Sequence, residues 1–434
     1  MKRRAFSTLM VLWVVAIAGV ILAGIQAHAF GQASAGREAL ARVRAVWAAR
    51  SGLELAIART EFDSLNPDTS NAFRVFDDLS ASANRRLDDS AFRLAYSDAY
   101  GDHLGARDSN AKININLMTA AQLATLPNMP EDGPDSILDW RDGDDDTKPM
   151  GAERGYYQSR RYPVTPRNGD LKTISELELI VGMTPELVRG EDWNLNGRLD
   201  PNEDDGDSSW PPDNADGRLD AGLSGILTTS SIDGGLAASG QERLDLTSAT
   251  AAQVAQRLGV DTVQADAIAA YGASSGASMA EFIRRDLRQL AQQAGTNAAI
   301  AATIRALDRT QLGSLYNECS IGPAAAGKPG RLNINTCDAE TLEYLPEMSA
   351  GLADAVIYER STRPEGFQSI VDLLDVPSMT RQRLAGLASI IDVRSNAITV
   401  SSRGRDAKTG IEVEITAVID RSTIPATLTE YRVQ

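Results

Sequence analysis

Lys2-Arg3-Arg4-Ala5-Phe6-Ser7-Thr8-Leu9-Met10-Val11-Leu12-Trp13-Val14-Val15-Ala16-Ile17-Ala18-Gly19-Val20-Ile21-Leu22-Ala23-Gly24-Ile25 decides how the chain is built. Three cations precede a run, Phe6 to Ile25, that holds no charged residue. A helix of that length, at about 1.5 Å of rise per residue, spans roughly the 30 Å of a bilayer core. Cations before the run hold that end in the cytoplasm and send the rest across. Ala27-His28-Ala29 offers the alternative of a cleaved secretory signal, with Phe30 as the new terminus. Against it, the run is longer than a signal core, and a helical pattern continues from Arg37 to Arg50 without Pro or Gly. Leu40, Val43, Trp47, Leu53, Leu55 and Ile57 form an amphipathic stripe, interrupted at Gly52. One continuous helix over residues 6–62, with 6–25 in the membrane, is the simpler account.

Beyond residue 62 the pattern changes. Ala91–Tyr96 reads as a short strand, and Ala397–Ser401 and Ile411–Ile419 read as a hairpin turning at Asp406–Gly410. Between them the chain is helical and repetitive. Lys112-Ile113-Asn114-Ile115-Asn116, then Ala121-Gln122-Leu123, then Leu126-Pro127-Asn128-Met129, returns as Arg331-Leu332-Asn333-Ile334-Asn335, then Glu340-Thr341-Leu342, then Leu345-Pro346-Glu347-Met348. A weaker third copy starts at Arg243-Leu244-Asp245-Leu246. Each copy is an extended piece, a short helix and a tight turn into a second helix, which resembles tandem helix-hairpin-helix units. The DNA-binding form of that unit needs a Gly-x-Gly hairpin, so that bare N–H groups reach a phosphate. Met129-Pro130-Glu131-Asp132-Gly133-Pro134 and Met348-Ser349-Ala350-Gly351 lack it. With 59 acidic against 43 basic residues and a net charge of −16, the chain also repels phosphate backbones, so no nucleic-acid partner is expected. Two histidines, His28 and His103, leave little room for a His-based triad or a His-rich zinc site, and no enzymatic activity is expected.

Residues 191–220 hold ten acids against Arg198 and Arg218. Asp192-x-Asn194-x-Asn196-Gly197-Arg198-Leu199-Asp200-x-x-Glu203 fits an EF-hand-type calcium loop. Hard oxygen donors come from Asp192, Asn194, Asn196, the Arg198 carbonyl, Asp200 and a bidentate Glu203, while Gly197 makes the sharp turn. A partial second loop at Asn214–Asp220 offers Asp216 and Asp220, with Asp213 a substitute for the missing first-position acid. A third cluster runs Asp139-Trp140-Arg141-Asp142-Gly143-Asp144-Asp145-Asp146, followed by Glu153, and its spacing matches no such loop. Cys319 and Cys337 are the only cysteines; an oxidising compartment favours a disulfide between them, and the alternative is two buried thiols.

The terminus resembles a type IV prepilin: a short basic leader at 1–5, a small residue, then an aromatic residue opening an apolar helix. That resemblance implies cutting by a prepilin peptidase between Ala5 and Phe6 and methylation of Phe6. Gly usually precedes the cut, where this chain has Ala5, and most pilins carry Glu at the position of Met10. A missing Glu, the Asp139–Asp145 cluster, Pro149, Gly151-Ala152-Glu153, Tyr156-Tyr157, Arg167-Asn168-Gly169 and Val181–Leu187 together resemble the K minor pseudopilin of type II secretion systems. The resemblance implies an α+β fold: a long N-terminal transmembrane and amphipathic helix, then a pilin-like β-sheet formed by 63–110 and a C-terminal hairpin at 391–434. A large, mostly helical insertion at 111–390 interrupts that sheet, with repeats near 112–187, 243–290 and 331–390. It further implies a single pass of the inner membrane with the bulk in the periplasm, I- and J-type minor pseudopilins as partners, and a place at the pseudopilus tip. Calcium held by carboxylates of the helical domain is also implied, with Asp142, Asp145 and Glu153 as the matching residues. The alternative reading is a membrane-tethered helix-hairpin-helix protein for DNA uptake.

Overall fold

The structure, a computed structural model, describes residues 2–98, 101–323 and 327–434, with only the backbone of 2–9 and Asp98 described. Helix α1 is Lys2–Leu65, 64 residues long, and it is long and apolar enough to cross a membrane. Met10 to Ile25 lie fully in the open, while the second half packs on a sheet. Ala45, Ala49, Leu53 and Ala56 turn to that sheet, so the expected amphipathic stripe packs only in its second half: Leu53 is buried and Leu55 and Ile57 half-buried, while Leu40, Val43 and Trp47 are 50%, 52% and 60% exposed. The reason is distance. A Cβ on Gly404 would lie 1.9 Å from the Ala45 carbonyl oxygen, and one on Gly52 would lie 2.2 Å from Ser402 Oγ. Only an alanine and glycine face lets the helix axis come that close, so Gly52 belongs to the packing surface rather than interrupting it.

The sheet has seven antiparallel strands: β1 Asn84–Leu87, β2 Ser90–Asp98, β3 Gly101–Leu104, β4 Arg107–Asp108, β5 Ala397–Asp406, β6 Glu412–Asp420 and β7 Thr427–Val433. Their order is β1-β2-β5-β6-β7, with β3 beside β2 and β4 beside β5. The expected C-terminal hairpin is therefore a three-stranded meander. Alternation puts Ile398 and Val400 of β5, Ile415, Ala417 and Ile419 of β6, and Phe92 and Leu94 of β2 in one core with α1 and with helix α2, Arg74–Ala81.

The chain leaves this sheet at β4 and returns to it at β5, and the residues between fold around a second, larger core. Three parallel two-residue bridges punctuate them: Ile113↔Leu227 with Asn114↔Thr228, Leu244↔Cys319 with Asp245↔Ser320, and Leu332↔Ile391 with Asn333↔Asp392. In each, an Asn or Asp side chain accepts the N–H two residues on: Asn114 from Asn116 (3.0 Å), Asp245 from Thr247 (2.9 Å), Asn333 from Asn335 (3.0 Å). The segment from Arg243 thus has the local geometry of the other two, with Asp in place of Asn. The first and last agree further: Arg141 donates to the Ile115 and Met118 carbonyls as Arg360 does to those of Ile334 and Cys337.

The two cores meet at Asp108. Its buried carboxylate accepts from Asn110 N–H (2.7 Å), Asn333 Nδ2 (2.9 Å), and the Thr336 and Ser395 hydroxyls. One side chain so joins the sheet, the third bridge and the returning strand. Burial raises its pKa against the pull of those four donors.

Candidate metal centres in the helical insertion

The helix Gly133–Arg141 begins with Pro134 in its first turn and ends at the acidic run. Trp140 and Tyr157 fix its inner face, with ring centroids 5.0 Å apart at 81°. This anchoring delivers Asp142 and Asp144 from one side, and Glu153, just ahead of the helix Arg154–Gln158, from the other. Asp142, Asp144 and Glu153 each offer an oxygen, all within 4.8 Å of one another. Both carboxylate oxygens of Glu153 and Oδ1 of Asp142 are buried and have no hydrogen-bond partner among the described residues. Lys148 is the cation nearby, bonding Asp139 Oδ1 at 3.1 Å and the other oxygen of Asp142. Burial raises the Glu153 pKa, and Asp139 and Asp142 raise it further. Three convergent acids, two of them with buried orphaned oxygens and the exposed Asp144 at the rim, have the donor set of a hard divalent cation. The expected trio needs one correction: Asp145 turns outward to Arg154 (3.6 Å), and Asp144 takes its place. The spacing alone cannot separate them, because which acid turns inward depends on the path of an irregular loop.

The loop Asp192–Glu203 is organised differently. Asp192 is buried and accepts N–H groups of Asn196 and Gly197, both at 2.9 Å. Asn194 accepts from Asn196 (2.9 Å) and Asn196 from Arg198 (2.7 Å). Asp200 is held by Asn194 and Asn196 Nδ2 and by the Arg198 guanidinium. Glu203, 1% exposed, closes the loop with Oε1 on Trp193 N–H (3.1 Å) and Oε2 on Asp200 N–H (3.0 Å). Leu195 at φ 55° and Gly197 at φ 70° make the tight turn. The structure thus ties Asp192, Asn194, Asn196, Asp200 and Glu203 into one hydrogen-bonded loop. Burial raises the Asp192 and Glu203 pKa values.

The second loop is completed from outside itself. Gly217 N–H donates to Asp204 (2.9 Å), as Gly197 does to Asp192. Glu191 receives Asn214 N–H (3.1 Å) and Asp220 N–H (3.0 Å), much as Glu203 bridges the first loop. Asp216 stays in the loop, accepting from Arg218, and Asp220 accepts from Gly222. Asp213 is not the substitute first ligand: it accepts the N–H groups of Asp205, Gly206 and Ala215. Sequence reading missed Glu191 and Asp204, although the doubled acids Glu191-Asp192 and Glu203-Asp204 were a visible signal that each loop end serves two turns.

Cys319 and Cys337 are free thiols, correcting the expected disulfide. They lie in separate modules: Cys319 on the second bridge, and Cys337 aimed at the Ile334 carbonyl within the third. Each is buried as a small apolar group, and burial raises both thiol pKa values to about 12. Ala5 and Phe6 fall in the first turns of α1, and their side chains lie outside the described residues.

Residues 94–190, which include the Asp142–Glu153 centre, match the family model of type II secretion system protein K. Residues 328–391, around the third bridge, match that of the helix-hairpin-helix motif. No curated protein matches the chain. Among solved structures, a chain of the GspK–GspI–GspJ complex from the enterotoxigenic Escherichia coli type 2 secretion system is similar at 15% identity and a TM-score of 0.46, covering 92% of this chain and 99% of that one. Residues 94–190, set beside a long apolar helix and within an interrupted antiparallel sheet, are thus similar to protein K of type II secretion systems.

Proposed function

We propose that this chain is a minor pseudopilin that caps the periplasmic tip of the type II secretion pseudopilus, helping to begin its assembly for protein export across the outer membrane. The observation that carries the reading is the insertion between β4 and β5, which would clash within a packed fibre but is free to project from its end. Met10 supports it. A Glu at that place in a pilin can pair with the terminal amine of a neighbour, and a terminal subunit needs no such pairing. The chain would be cut between Ala5 and Phe6 by a prepilin peptidase, methylated at Phe6, held in the inner membrane by 6–25, and assembled with I- and J-type subunits. Its role would be structural rather than catalytic.

Calcium would serve this role by stiffening the helical insertion. Asp142, Asp144 and Glu153 would hold one ion, and the Asp192–Glu203 loop another. Glu191, Asp204, Asp216 and Asp220 are the donors for a third. A bound cation would neutralise acids that otherwise repel, and so add to stability. The DNA-uptake reading is weaker, because the turn before Ala350–Ser361 carries the acid Glu347 where a phosphate site wants bare amides.

Deletion of the gene, with secreted and retained proteins measured, tests the export role. The expected result is loss of secretion that the intact chain restores and a chain lacking 111–390 does not. Normal secretion without the chain would overturn it. An N-terminus at methylated Phe6, read by intact mass, tests processing.

A further inference from the structure

Arg394 stands where the chain re-enters the sheet, three residues ahead of β5, and Arg421 directly follows β6. Both line a recess of about 60 Å³, walled also by the end of α1 with the turn after it and by the segment leading into the second bridge. Four arginines line it, Arg74, Arg243, Arg394 and Arg421, against two acids, Asp63 and Asp68. In a chain of net charge −16 this is a local reversal of sign. The two acids are already engaged. Asp63 accepts from Arg421 (2.7 Å), with Arg74 3.8 Å from its other oxygen. Asp68 accepts from the N–H and the hydroxyl of Ser70 (2.8 and 2.6 Å). Arg243 reaches the Leu236 and Tyr316 carbonyls, both at 3.4 Å, and Asp392 at 3.6 Å. Arg394 has no such partner: among the described residues its guanidinium makes no hydrogen bond and no ion pair, and its Nε is buried. Burial lowers its pKa, with Asp392 pulling against this and Arg421 adding to it.

An unpaired guanidinium with a buried nitrogen carries a desolvation cost that an anionic acceptor removes. Its planar fork matches two oxygens of a carboxylate or a phosphate. The recess is far below the roughly 300–1,000 Å³ of a cofactor pocket, so it suits an anion of a few atoms and not a nucleotide. We propose that Arg394 and the three arginines around it bind one small free oxyanion, a phosphate or a small carboxylate. Arg243 belongs to the helical insertion and the other three to the segments that frame the sheet, so the anion would pin one to the other where their walls meet. A lipid headgroup is not the source. Asp63 lies 38 residues beyond Ile25 on one continuous helix, roughly 57 Å from the apolar run at about 1.5 Å per residue.

The test uses the full-length chain purified in detergent, with EDTA present so that calcium plays no part. Sodium phosphate or sodium acetate replaces chloride at constant ionic strength while the melting temperature is followed. Either oxyanion should raise it along a saturating curve. Arg394→Gln should weaken the apparent affinity by about tenfold or more, and Arg394→Lys, which keeps the charge without the fork, by about threefold. Arg85→Gln, an equal change of charge on the exposed β1, should leave the curve where it was. Saturation by phosphate alone or by acetate alone supports the site and names its anion. No saturation with either overturns it. So does a response shared equally by the unmodified chain and Arg394→Gln, which is a general effect of the salt on the protein surface. Should the glutamine variant not fold, the lysine variant and calorimetric titration of the unmodified chain decide: one anion bound per chain supports the site, and none overturns it.

Discussion

The Asp142–Asp144–Glu153 cluster and the Asp192–Glu203 loop are both acidic and partly buried, yet they treat their charge in opposite ways. In the loop, each buried carboxylate receives backbone N–H groups: Asp192 from Asn196 and Gly197, Glu203 from Trp193 and Asp200. In the cluster, neither oxygen of Glu153 has a hydrogen-bond partner among the described residues, and Asp142 has one oxygen on Lys148 and the other orphaned. Backbone amides are built into a turn, so they stabilise the loop's acids whatever else is present. Orphaned buried oxygens leave a desolvation cost that only a proton or a cation removes. The density of acid in the sequence is therefore a poor guide to cation dependence. The supply of local donors separates the two regions.

The largest test of this contrast is Glu153→Gln. In chelated protein the substitution removes a buried, repelled charge and should stabilise by about 1–3 kcal/mol, raising the melting temperature. In millimolar calcium the order should reverse, because the unmodified chain alone gains from the ion at this centre. A loss of stability in EDTA would show that Glu153 has a partner and that the contrast is false.

Glu203→Gln should do the opposite in chelator. One of the two N–H groups held by the carboxylate would face an amide nitrogen, and the loop should lose about 1–2 kcal/mol before any ion is added. Thermal melts in EDTA read the sign directly. Stabilisation here would place both regions in the same class.

The legibility of these features followed how local they are. The long apolar helix, the EF-type spacing and the outer repeats depend on neighbours a few residues away and could be read from sequence. The packing face of α1 could not. Its alanines score weakly as apolar, and the sequence does not say that Gly52 and Gly404 bring helix and strand into contact. β7 was missed because Thr427–Val433 mixes charged and apolar residues, and its pairing with β6 supplies what propensity lacks. Asp144 and Glu191 were missed for the same reason on a smaller scale. One is selected by a loop's path and the other by a turn more than twenty residues away.

A smaller effect lies in the pH dependence of the chelated protein. Glu153 has a folded pKa raised by burial and then by Asp139 and Asp142, so the native state takes up a proton more readily than the unfolded one. Stability from this group is gained as pH falls through the raised value, and the gain ends near the ordinary carboxylate value of about 4.3. Relative to Glu153→Gln, the unmodified chain should therefore close its deficit as pH falls through that window. Asp192 and Glu203, whose pKa values burial also raises, are present in both proteins and cancel. A flat difference curve would mean that Glu153 is not the group that carries the strain.

The smallest effect should be spectroscopic, and it separates the two regions by position rather than energy. Trp140 is buried against Tyr157 beside the cluster, and its Nε1 has no partner among the described residues. Trp193 lies inside the loop, edge-on to Trp210 at 5.4 Å with Arg189 over its ring. Calcium added to chelated protein should change the emission of both, and Trp140→Phe and Trp193→Phe should each remove one part of the change. Because the loop is already ordered by its own amides, the Trp193 part should appear with a smaller shift in melting temperature once the cluster is disabled by Glu153→Gln. A melting shift that is undiminished in that variant and vanishes with Glu203→Gln would show that the loop, not the cluster, couples calcium to the stability of the insertion.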